Sequence, residues 1–365
     1  MSLFDVKKNP AICVLPWVHE HKTIRGKIAP CCVGETLQGN ETLAMVRQEM
    51  LDGVKPRACA RCYINDEKSG FSHRIESTLD WLQKFGEPDI DKPMVQYIDV
   101  RYDPTCNLKC KTCGPQASTL WQKEKNIKIP RNESNLKYFE DVDKRNLKKV
   151  YLAGGEPTYI KNYLLFLEEL HKVNPDCEVI INTNLKSLPD SWKNIIIKFK
   201  NLTVVCSCDA IEVLGTYMRY PLGWKQFEDN VRFASENANF LQFNLVASNL
   251  TSHKLFETCS WMNNFANNIN ISILTNPACF SEKAVPLDVR NVYLQNIAKL
   301  EKFPASVYYA MNFRKKIQYL LSKYRDTQYD ESLHIKLQAE IKEQDSHRSL
   351  QLPDVDPFLQ DWIFR

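Results

Sequence analysis

Six short segments rich in β-branched and aromatic residues alternate with longer segments of helical spacing, and this alternation constrains the fold more than any other feature. Strands that alternate with helices predict βαβ units and a parallel sheet. Six such units exceed a small domain and fall short of a closed eight-stranded barrel. We therefore predict an α/β fold, an open six-stranded (β/α)6 partial TIM barrel whose working end lies at the C-terminal ends of its strands. The predicted strands are 97–103, 150–154, 178–184, 202–208, 241–248 and 270–276.

The barrel accounts for only part of the 365 residues. Residues 1–94 are predicted to form a small cysteine-rich module with a linker helix, and residues 95–280 the partial barrel. Residues 281–365 have helical patterns throughout and are predicted to be a C-terminal extension that closes the open side of the barrel or docks a partner.

Composition excludes several classes of protein. The net charge is only +4, and acidic residues interleave with the lysines of 114–149, which we interpret as solvated helix faces rather than a nucleic-acid surface. No apolar run approaches the ~18–20 residues that cross a bilayer, and the first residues lack the apolar region of a signal peptide. We therefore expect a cytoplasmic protein that binds neither membranes nor nucleic acid.

The chain has 13 cysteines, an odd number that cannot pair off completely. In a reducing cytosol so many thiols predict metal sites rather than a disulfide framework. Five of them are scattered singly through apolar stretches, where cysteine behaves as a small buried hydrophobe. We assign these five to the core: Cys177, Cys206, Cys208, Cys259 and Cys279.

A tight run, Cys106-x3-Cys110-x2-Cys113, follows the first predicted strand. Three thiolates on one loop can all point at one centre. Structural zinc and iron–sulfur clusters normally take four protein ligands, so three indicate a cluster with one iron left open. The alternative is a zinc knuckle whose fourth ligand comes from a distant part of the chain.

Polar or glycine-containing motifs follow the next three strands as well. A glycine pair lets the backbone approach a ligand closely, and its carbonyl groups, together with a carboxylate, suit an ammonium group. By itself such a turn is a weak signal, but one strand after a three-cysteine loop it becomes a strong one. The residues are Gly154, Gly155, Glu156 and Pro157 after strand two, Asn182, Thr183 and Asn184 at the end of strand three, and Ser207 and Asp209 at the end of strand four.

Residues 95–276 resemble the core of radical S-adenosylmethionine (radical SAM) enzymes. The cysteine run is similar to the cluster motif of that superfamily, and GGEP to the motif that holds the methionine amino group. INTNL resembles the strand-three element, and CSCDAIE with the trailing TYMRYPLGW resembles the strand-four element. The sequence departs from the family pattern at Thr112, where an aromatic residue is frequent, and at Leu185 and Ala210, where glycine is usual.

The resemblance implies a [4Fe-4S] cluster whose open iron chelates S-adenosylmethionine. Reductive cleavage of that cofactor yields a 5′-deoxyadenosyl radical that abstracts hydrogen from a substrate, with electrons from a donor such as a flavodoxin or ferredoxin. The implied cluster ligands are Cys106, Cys110 and Cys113. The implied cofactor contacts are Gly154, Gly155, Glu156, Pro157, Asn184, Ser207, Asp209 and Arg219.

The N-terminal cysteines form a second candidate site. A loop with Cys13, a hairpin with its turn near 25–26, and the knuckle Cys59-x2-Cys62 together supply four thiolates, which suit either zinc or an iron–sulfur cluster. The Cys-x12-Gly-x4-Cys spacing resembles a SPASM/Twitch module, here placed before the barrel. That resemblance implies one auxiliary [4Fe-4S] cluster bound by Cys13, Cys31, Cys59 and Cys62, and it favours Cys31 over Cys32. His19 and His21 are alternative ligands, although their alternation on a strand accounts for them too.

Strand parity places further polar residues on the inner face of the barrel. Ser207 and Asp209 share one face of strand four, which leaves Cys206 and Cys208 facing the helices. On strand one Asp99 and Arg101 share a face, where a polar stripe needs partners or a ligand. Ion pairs and substrate contact both explain this stripe, and the same holds for Gln242, Asn244 and Ser248 on strand five.

We expect the substrate to be a peptide or protein, by analogy with enzymes that carry such modules. A small molecule such as a sugar or nucleotide is the alternative. A non-catalytic iron–sulfur or zinc scaffold is the alternative from another class of protein. GGEP and Asp209 argue against the scaffold, since a scaffold has no use for an amine site beside an open iron.

Overall fold

A computed structural model describes residues 2–23, 26–70, 72–101, 103–130, 141–304 and 310–365. The predicted turn at Arg25, residue 102 of the first predicted strand, and residues 131–140 of the stretch interpreted as solvated helix faces lie outside these ranges.

Each of the six predicted strands is present, and the residues between them supply the covering helices. Two further short strands precede them. The strands are β1 (His19–Lys22), β2 (Ile28–Ala29), β3 (Tyr97–Val100), β4 (Lys149–Leu152), β5 (Glu178–Thr183), β6 (Leu202–Ser207), β7 (Phe240–Ala247) and β8 (Asn268–Ile273).

The strands form one eight-stranded sheet in the order β2-β1-β3-β4-β5-β6-β7-β8. β3 to β8 pair in parallel in chain order, as the βαβ pattern predicts. The predicted count of six strands is too low, because β1 also pairs in parallel with β3, in the register His19 with Tyr97, and β2 pairs antiparallel with β1. This hairpin satisfies backbone groups of β3 that an edge strand would leave unpaired. The α/β fold class is confirmed.

Helices connect and cover the strands. α6 shows how: its buried face carries Tyr163, Phe166, Leu167 and Leu170 at the spacing of one helix side, toward the sheet. The helices are α1 (Leu15–Val18), α2 (Leu43–Leu51), α3 (Ala60–Ser69), α4 (His73–Phe85), α5 (Thr119–Glu124), α6 (Lys161–Val173), α7 (Asp190–Lys198), α8 (Glu212–Met218), α9 (Trp224–Asn237), α10 (Leu255–Met262), α11 (Arg290–Ala298), α12 (Ala310–Asp326), α13 (Glu331–Ser346), α14 (Leu352–Val355) and α15 (Pro357–Ile363).

Two hydrophobic cores hold the molecule together. The larger lies between the sheet and its helices and contains the five scattered cysteines, which confirms their assignment to the core. The smaller core gathers around Phe4, Ile12 and Trp17 and includes Trp81 of α4. The N-terminal segment therefore has its own core while sharing the sheet. The domain boundaries near residues 94 and 280 stay predictions.

The C-terminal extension is helical, as predicted, and contacts both ends of the barrel. Lys316 of α12 donates a hydrogen bond to Asn270 of β8 over 2.5 Å, at the last strand of the sheet. Asp345 of α13 accepts one from Lys111, within the cysteine run. Of the helices in the described ranges, none combines the length and apolar character that a passage across a membrane requires.

Candidate active site

The three clustered cysteines lie on the loop that joins β3 to α5, at the C-terminal end of the first barrel strand. Backbone and side-chain groups hold this loop from two sides. The Lys111 N–H donates to the Met218 carbonyl over 2.8 Å, and the Trp121 indole N–H donates to the Cys110 carbonyl over 3.0 Å. The loop is thus fixed before any ligand binds. Its thiols belong to Cys106, Cys110 and Cys113.

These thiols are withdrawn from solvent. Burial raises the pKa of Cys106 to about 11 and that of Cys110 to about 12, and it raises the pKa of Cys113 as well. Metal ligation by cysteine needs the thiolate, so binding iron here releases protons.

The glycine pair after β4 packs directly against the start of the cysteine loop. Gly154 has a φ of +83°, which favours glycine. A Cβ on Gly155 would lie 2.1 Å from the Thr105 carbonyl oxygen, a distance that no side chain tolerates. The Glu156 N–H donates to the same oxygen over 2.7 Å. Only glycine lets the two loops approach this closely.

The Glu156 carboxylate is fully engaged within the protein. Oε1 accepts from the hydroxyls of Thr183 at 2.5 Å and Thr158 at 2.7 Å, and Oε2 accepts the Asn184 N–H at 2.7 Å. The side chain therefore ties the β4 turn to the end of β5, and its role toward an ammonium group stays a prediction. Pro157 begins the short 3-10 turn that follows and is buried.

Asn184 extends the same network to the cysteine loop. Its amide nitrogen donates to the Asn107 side-chain oxygen over 2.9 Å and lies 3.9 Å from the Cys106 sulfur. Leu185, which stands where the family usually has glycine, has a φ of +49°. This left-handed conformation explains the family's preference for glycine. The Leu185 side chain is buried in the larger core.

The end of β6 carries a buried ion pair. The Arg219 Nε–H donates to Asp209 Oδ2 over 3.0 Å, and the Val246 N–H donates to Asp209 Oδ1 over 3.1 Å. Ser207 donates to the Asn182 side-chain oxygen over 3.1 Å. The Asp209 and Arg219 charges both act on the Cys110 thiol, so this ion pair lies beside the cysteine loop.

The N-terminal thiols line a single cavity together with Leu15, Pro30 and Val33. Burial raises the pKa of Cys13 to about 11 and that of Cys31 to about 12. The four cysteines on this cavity are Cys13, Cys31, Cys59 and Cys62.

Cys32 lies elsewhere. Its sulfur is 3.9 Å from His73 Nε2, and the Asp99 carboxylate acts on it from the barrel side. His19 and His21 are also absent from the cavity lining. Among the rival ligands weighed from the sequence, the geometry thus selects Cys31.

The separation of the thiols bears on the metal. A tetrahedral zinc ion with Zn–S bonds of about 2.3 Å holds its sulfurs about 3.8 Å apart. Among the His, Cys, Asp and Glu residues in the described ranges, a single group of three or more brings its ligand atoms within 4.8 Å of one another, and it contains no cysteine. A cluster presents several separate iron atoms to its ligands, so thiols spread over a loop or a cavity can bind one.

The inner face of the sheet carries a continuous polar network. Asp99 and Arg101 form a bidentate pair with distances of 2.6 and 2.9 Å, which favours the ion-pair interpretation of that stripe. On β7, Gln242 donates to Asn244, while Ser248 is buried and bonds to Thr251. Sequence reasoning missed the partners Asn268 and Asn270 on β8, although polar alternation along 268–272 signals them. It also missed Lys316 of α12, which donates to Asn270.

Comparison with known proteins shows a similarity to one protein superfamily. The profile of the Radical SAM superfamily matches residues 101–238. A GTP 3′,8-cyclase of Nautilia profundicola is 28% identical over 113 residues, 30% of this chain and 35% of the relative. That of Campylobacter jejuni subsp. doylei is 23% identical over 235 residues, 60% of this chain and 71% of the relative. In the GTP 3′,8-cyclases of Nautilia profundicola, Helicobacter pylori and Sulfurovum sp., the matched segment spans about a third of the relative's length.

Solved structures give a weaker likeness. The crystal structure of Streptococcus suis SuiB bound to S-adenosylmethionine aligns with 71% of this chain and 54% of its own, at a TM-score of 0.44 and 16% identity.

Proposed function

Residues 101–238 are a domain of the radical SAM superfamily, and from this premise we propose that the protein is an enzyme that cleaves S-adenosylmethionine reductively to start radical chemistry on a substrate. One observation carries the proposal. A three-cysteine loop lies against the Gly154–Gly155 turn and beside the Asp209–Arg219 pair. A loop with three thiols and an adjacent amine-sized turn suits a cluster whose fourth position is taken by a cofactor.

The donor set fits a [4Fe-4S] cluster. Cys106, Cys110 and Cys113, three thiols on one loop, would hold it. When bound and reduced, the cluster would supply the electron that splits S-adenosylmethionine into methionine and a 5′-deoxyadenosyl radical. Cys106 is buried, and Cys110 and Cys113 are half-buried.

The chain's own residues would bind and orient the cofactor. Gly154 and Gly155 expose backbone groups that suit the methionine ammonium, while Glu156 fixes the shape of their turn through its bonds to β5. Asn184 positions Asn107 and the first cysteine. Ser207 and the Arg219 guanidinium, neutralised by Asp209, offer donors to the carboxylate and ribose oxygens.

A test of the activity needs only the purified protein. Anaerobically reconstituted protein would be reduced with dithionite in the presence of S-adenosylmethionine, and 5′-deoxyadenosine would be measured. We expect product from the wild type and none above background from Cys110→Ala, with Cys259→Ala, a buried core cysteine, as the matched control. Equal product from the wild type and Cys110→Ala would reject the enzyme and leave the non-catalytic scaffold.

We also propose an auxiliary [4Fe-4S] cluster in the N-terminal cavity. Four thiols that line one cavity support it. Four protein ligands leave no open iron, so the cluster would serve electron transfer or structure. In a variant with Cys106, Cys110 and Cys113 replaced by Ala, we expect about four irons per chain. Adding Cys31→Ser should abolish this iron, whereas adding Cys32→Ser should leave it. One zinc without iron would contradict the cluster.

For the substrate, a peptide or protein stays the first proposal, by analogy with radical SAM enzymes that carry auxiliary modules. A small molecule is the second candidate, and the similarity to GTP 3′,8-cyclases favours it. The amide-lined inner face around Asn244 and Asn270 presents both donors and acceptors, which either kind of substrate can use. Incubation with GTP, with its consumption followed by chromatography, separates the two: consumption supports the small molecule.

The remaining proposals concern the cellular setting. We infer a flavodoxin or ferredoxin as electron donor, and a cytoplasmic location in which the thiols stay reduced. Replacing dithionite by a reduced flavodoxin should sustain 5′-deoxyadenosine formation.

A further inference from the structure

We propose that His19, His21 and Asp99 form a third metal site, which binds one divalent transition-metal ion of the zinc or ferrous type, separate from both cysteine sites. The three side chains offer two imidazole nitrogens and one carboxylate oxygen that all lie within 4.8 Å of one another. No other group of three in the described ranges is so close. This proposal does not depend on the radical activity.

The sheet register creates the cluster. His19 and His21 occupy alternate positions of β1 and share the buried face of that strand. Because His19 pairs with Tyr97 in the parallel ladder, continuing the register by two residues brings His21 level with Asp99 on β3. Two neighbouring strands thus bring all three side chains to the inner face of the sheet.

The His19 ring is held in the way that is usual for a metal-ligating histidine. His19 Nδ1 lies 2.9 Å from the Tyr97 carbonyl oxygen, and since a carbonyl only accepts, Nδ1 carries the proton. The other nitrogen, Nε2, therefore keeps its lone pair. A ligating histidine typically donates its second N–H to a backbone carbonyl in this way, which fixes the tautomer and the ring orientation.

His21 supplies an independent sign of a missing partner. Its side chain is only 7% exposed, and its Nδ1 atom has no hydrogen-bond partner among the described residues. A bound water or ion is one way in which such a buried polar atom is satisfied.

Asp99 completes the set although it already pairs with Arg101. Each carboxylate oxygen has a second lone pair, and ligating carboxylates are commonly hydrogen-bonded by an outer partner. Asp99 is buried, whereas the Arg101 side chain is 38% exposed and its guanidinium lies 5.1 Å from the centre of the Tyr151 ring. Arg101 would thus be the outer partner of the ligating carboxylate, and water and the Tyr151 ring help to stabilise its charge.

The donor set indicates the ion and its use. Imidazole nitrogens suit zinc and ferrous iron better than magnesium or calcium, and two histidines with one carboxylate leave coordination positions open. An open position on the inner face of the sheet suits an oxygen or nitrogen atom of the substrate. The ion would therefore orient or polarise that substrate rather than hold the fold together.

Metal loading of the full chain tests the proposal. Anaerobically reconstituted protein would be incubated with Co²⁺ as the probe and desalted, and cobalt and iron per chain measured by mass spectrometry. We expect about one cobalt per chain in the wild type and less than a tenth of that in His21→Asn and in Asp99→Asn. His347→Asn, at an exposed position, is the matched control and should load like the wild type.

Iron content and thermal unfolding show whether the variants retain their clusters and fold. The electron paramagnetic resonance signal of high-spin Co²⁺ gives a second readout, since oxidised [4Fe-4S] clusters are silent in it. Absence of cobalt from the wild type would overturn the site. Equal cobalt content in folded His21→Asn would overturn it too, because the cysteine thiols would then be the ligands of the ion. Both outcomes are independent of 5′-deoxyadenosine formation.

Discussion

The Lys111 ammonium lies 2.6 Å from the Asp345 carboxylate, and this pair joins the cysteine loop to α13 across 234 residues of sequence. The Lys111 side chain is fully buried, and its Nζ lies 3.9 Å from the centre of the Tyr217 ring. Asp345 also accepts from the Tyr217 hydroxyl and the Leu352 N–H. The C-terminal extension is therefore part of the support of the candidate cluster site.

Asp345→Asn is expected to destabilise the protein by about 3–5 kcal/mol, because it leaves the buried Lys111 charge without its counter-ion. Urea unfolding measures the change in free energy. The exposed pair of Lys225 and Asp229 provides the control, and Asp229→Asn should change stability by less than about 0.5 kcal/mol. A similar small effect at both positions would show that the Lys111–Asp345 pair contributes little.

Gly155→Ala is expected to abolish cofactor binding. The added methyl group would overlap the Thr105 carbonyl, so the turn and the cysteine loop must move apart. Calorimetric titration of the reconstituted protein with S-adenosylmethionine, together with its iron content, measures the effect. Gly223→Ala is the control, since a Cβ there meets nothing within 4 Å. Unchanged binding in Gly155→Ala would remove the turn from the cofactor site.

Leu185→Gly tests two opposing contributions at one residue. Glycine removes a left-handed penalty of about 1–2 kcal/mol, but deleting the buried side chain costs about 2–5 kcal/mol. We expect net destabilisation in thermal unfolding. Asn126→Gly, at an exposed residue with a φ of +51°, should be neutral or slightly stabilising. A stabilised Leu185→Gly protein would mean that backbone strain outweighs packing here.

Asp209→Asn is expected to weaken S-adenosylmethionine binding by about tenfold or more, since truncating one partner of a buried charge pair typically costs 2–5 kcal/mol. The asparagine amide cannot accept from both Arg219 and the Val246 N–H, as the carboxylate does. Equilibrium dialysis measures the affinity, and iron content should stay at the wild-type level. Asp190→Asn, whose side chain is 94% exposed, is the control and should bind normally.

Much of the barrel and of its cysteine site was predictable because both rest on local patterns. Strand periodicity located all six barrel strands, and the run Cys106–Cys113 with Gly154 and Gly155 follows them in order. Strand parity correctly placed Cys206 and Cys208 in the core.

Features that depend on long-range packing were not predictable. The addition of β1 and β2 to the sheet arises from pairing with β3, which no local pattern encodes. The position of Cys32 beside His73 and Asp99 was not predictable either, although the spacing already favoured Cys31 as the residue on the cavity. The use of Glu156 as a brace between strands depends on Thr183 and Asn184, which lie on the next strand.

The parallel pairing of β1 with β3 has a consequence for biosynthesis. His19 and its partner Tyr97 are separated by 78 residues, so β1 emerges from the ribosome long before the strand it pairs with. The cysteines of the N-terminal cavity emerge before that strand too. In this order of synthesis, the N-terminal segment would fold first. The barrel strands would then pair one after another, starting at β1. Removing the hairpin would deprive the nascent barrel of its starting edge.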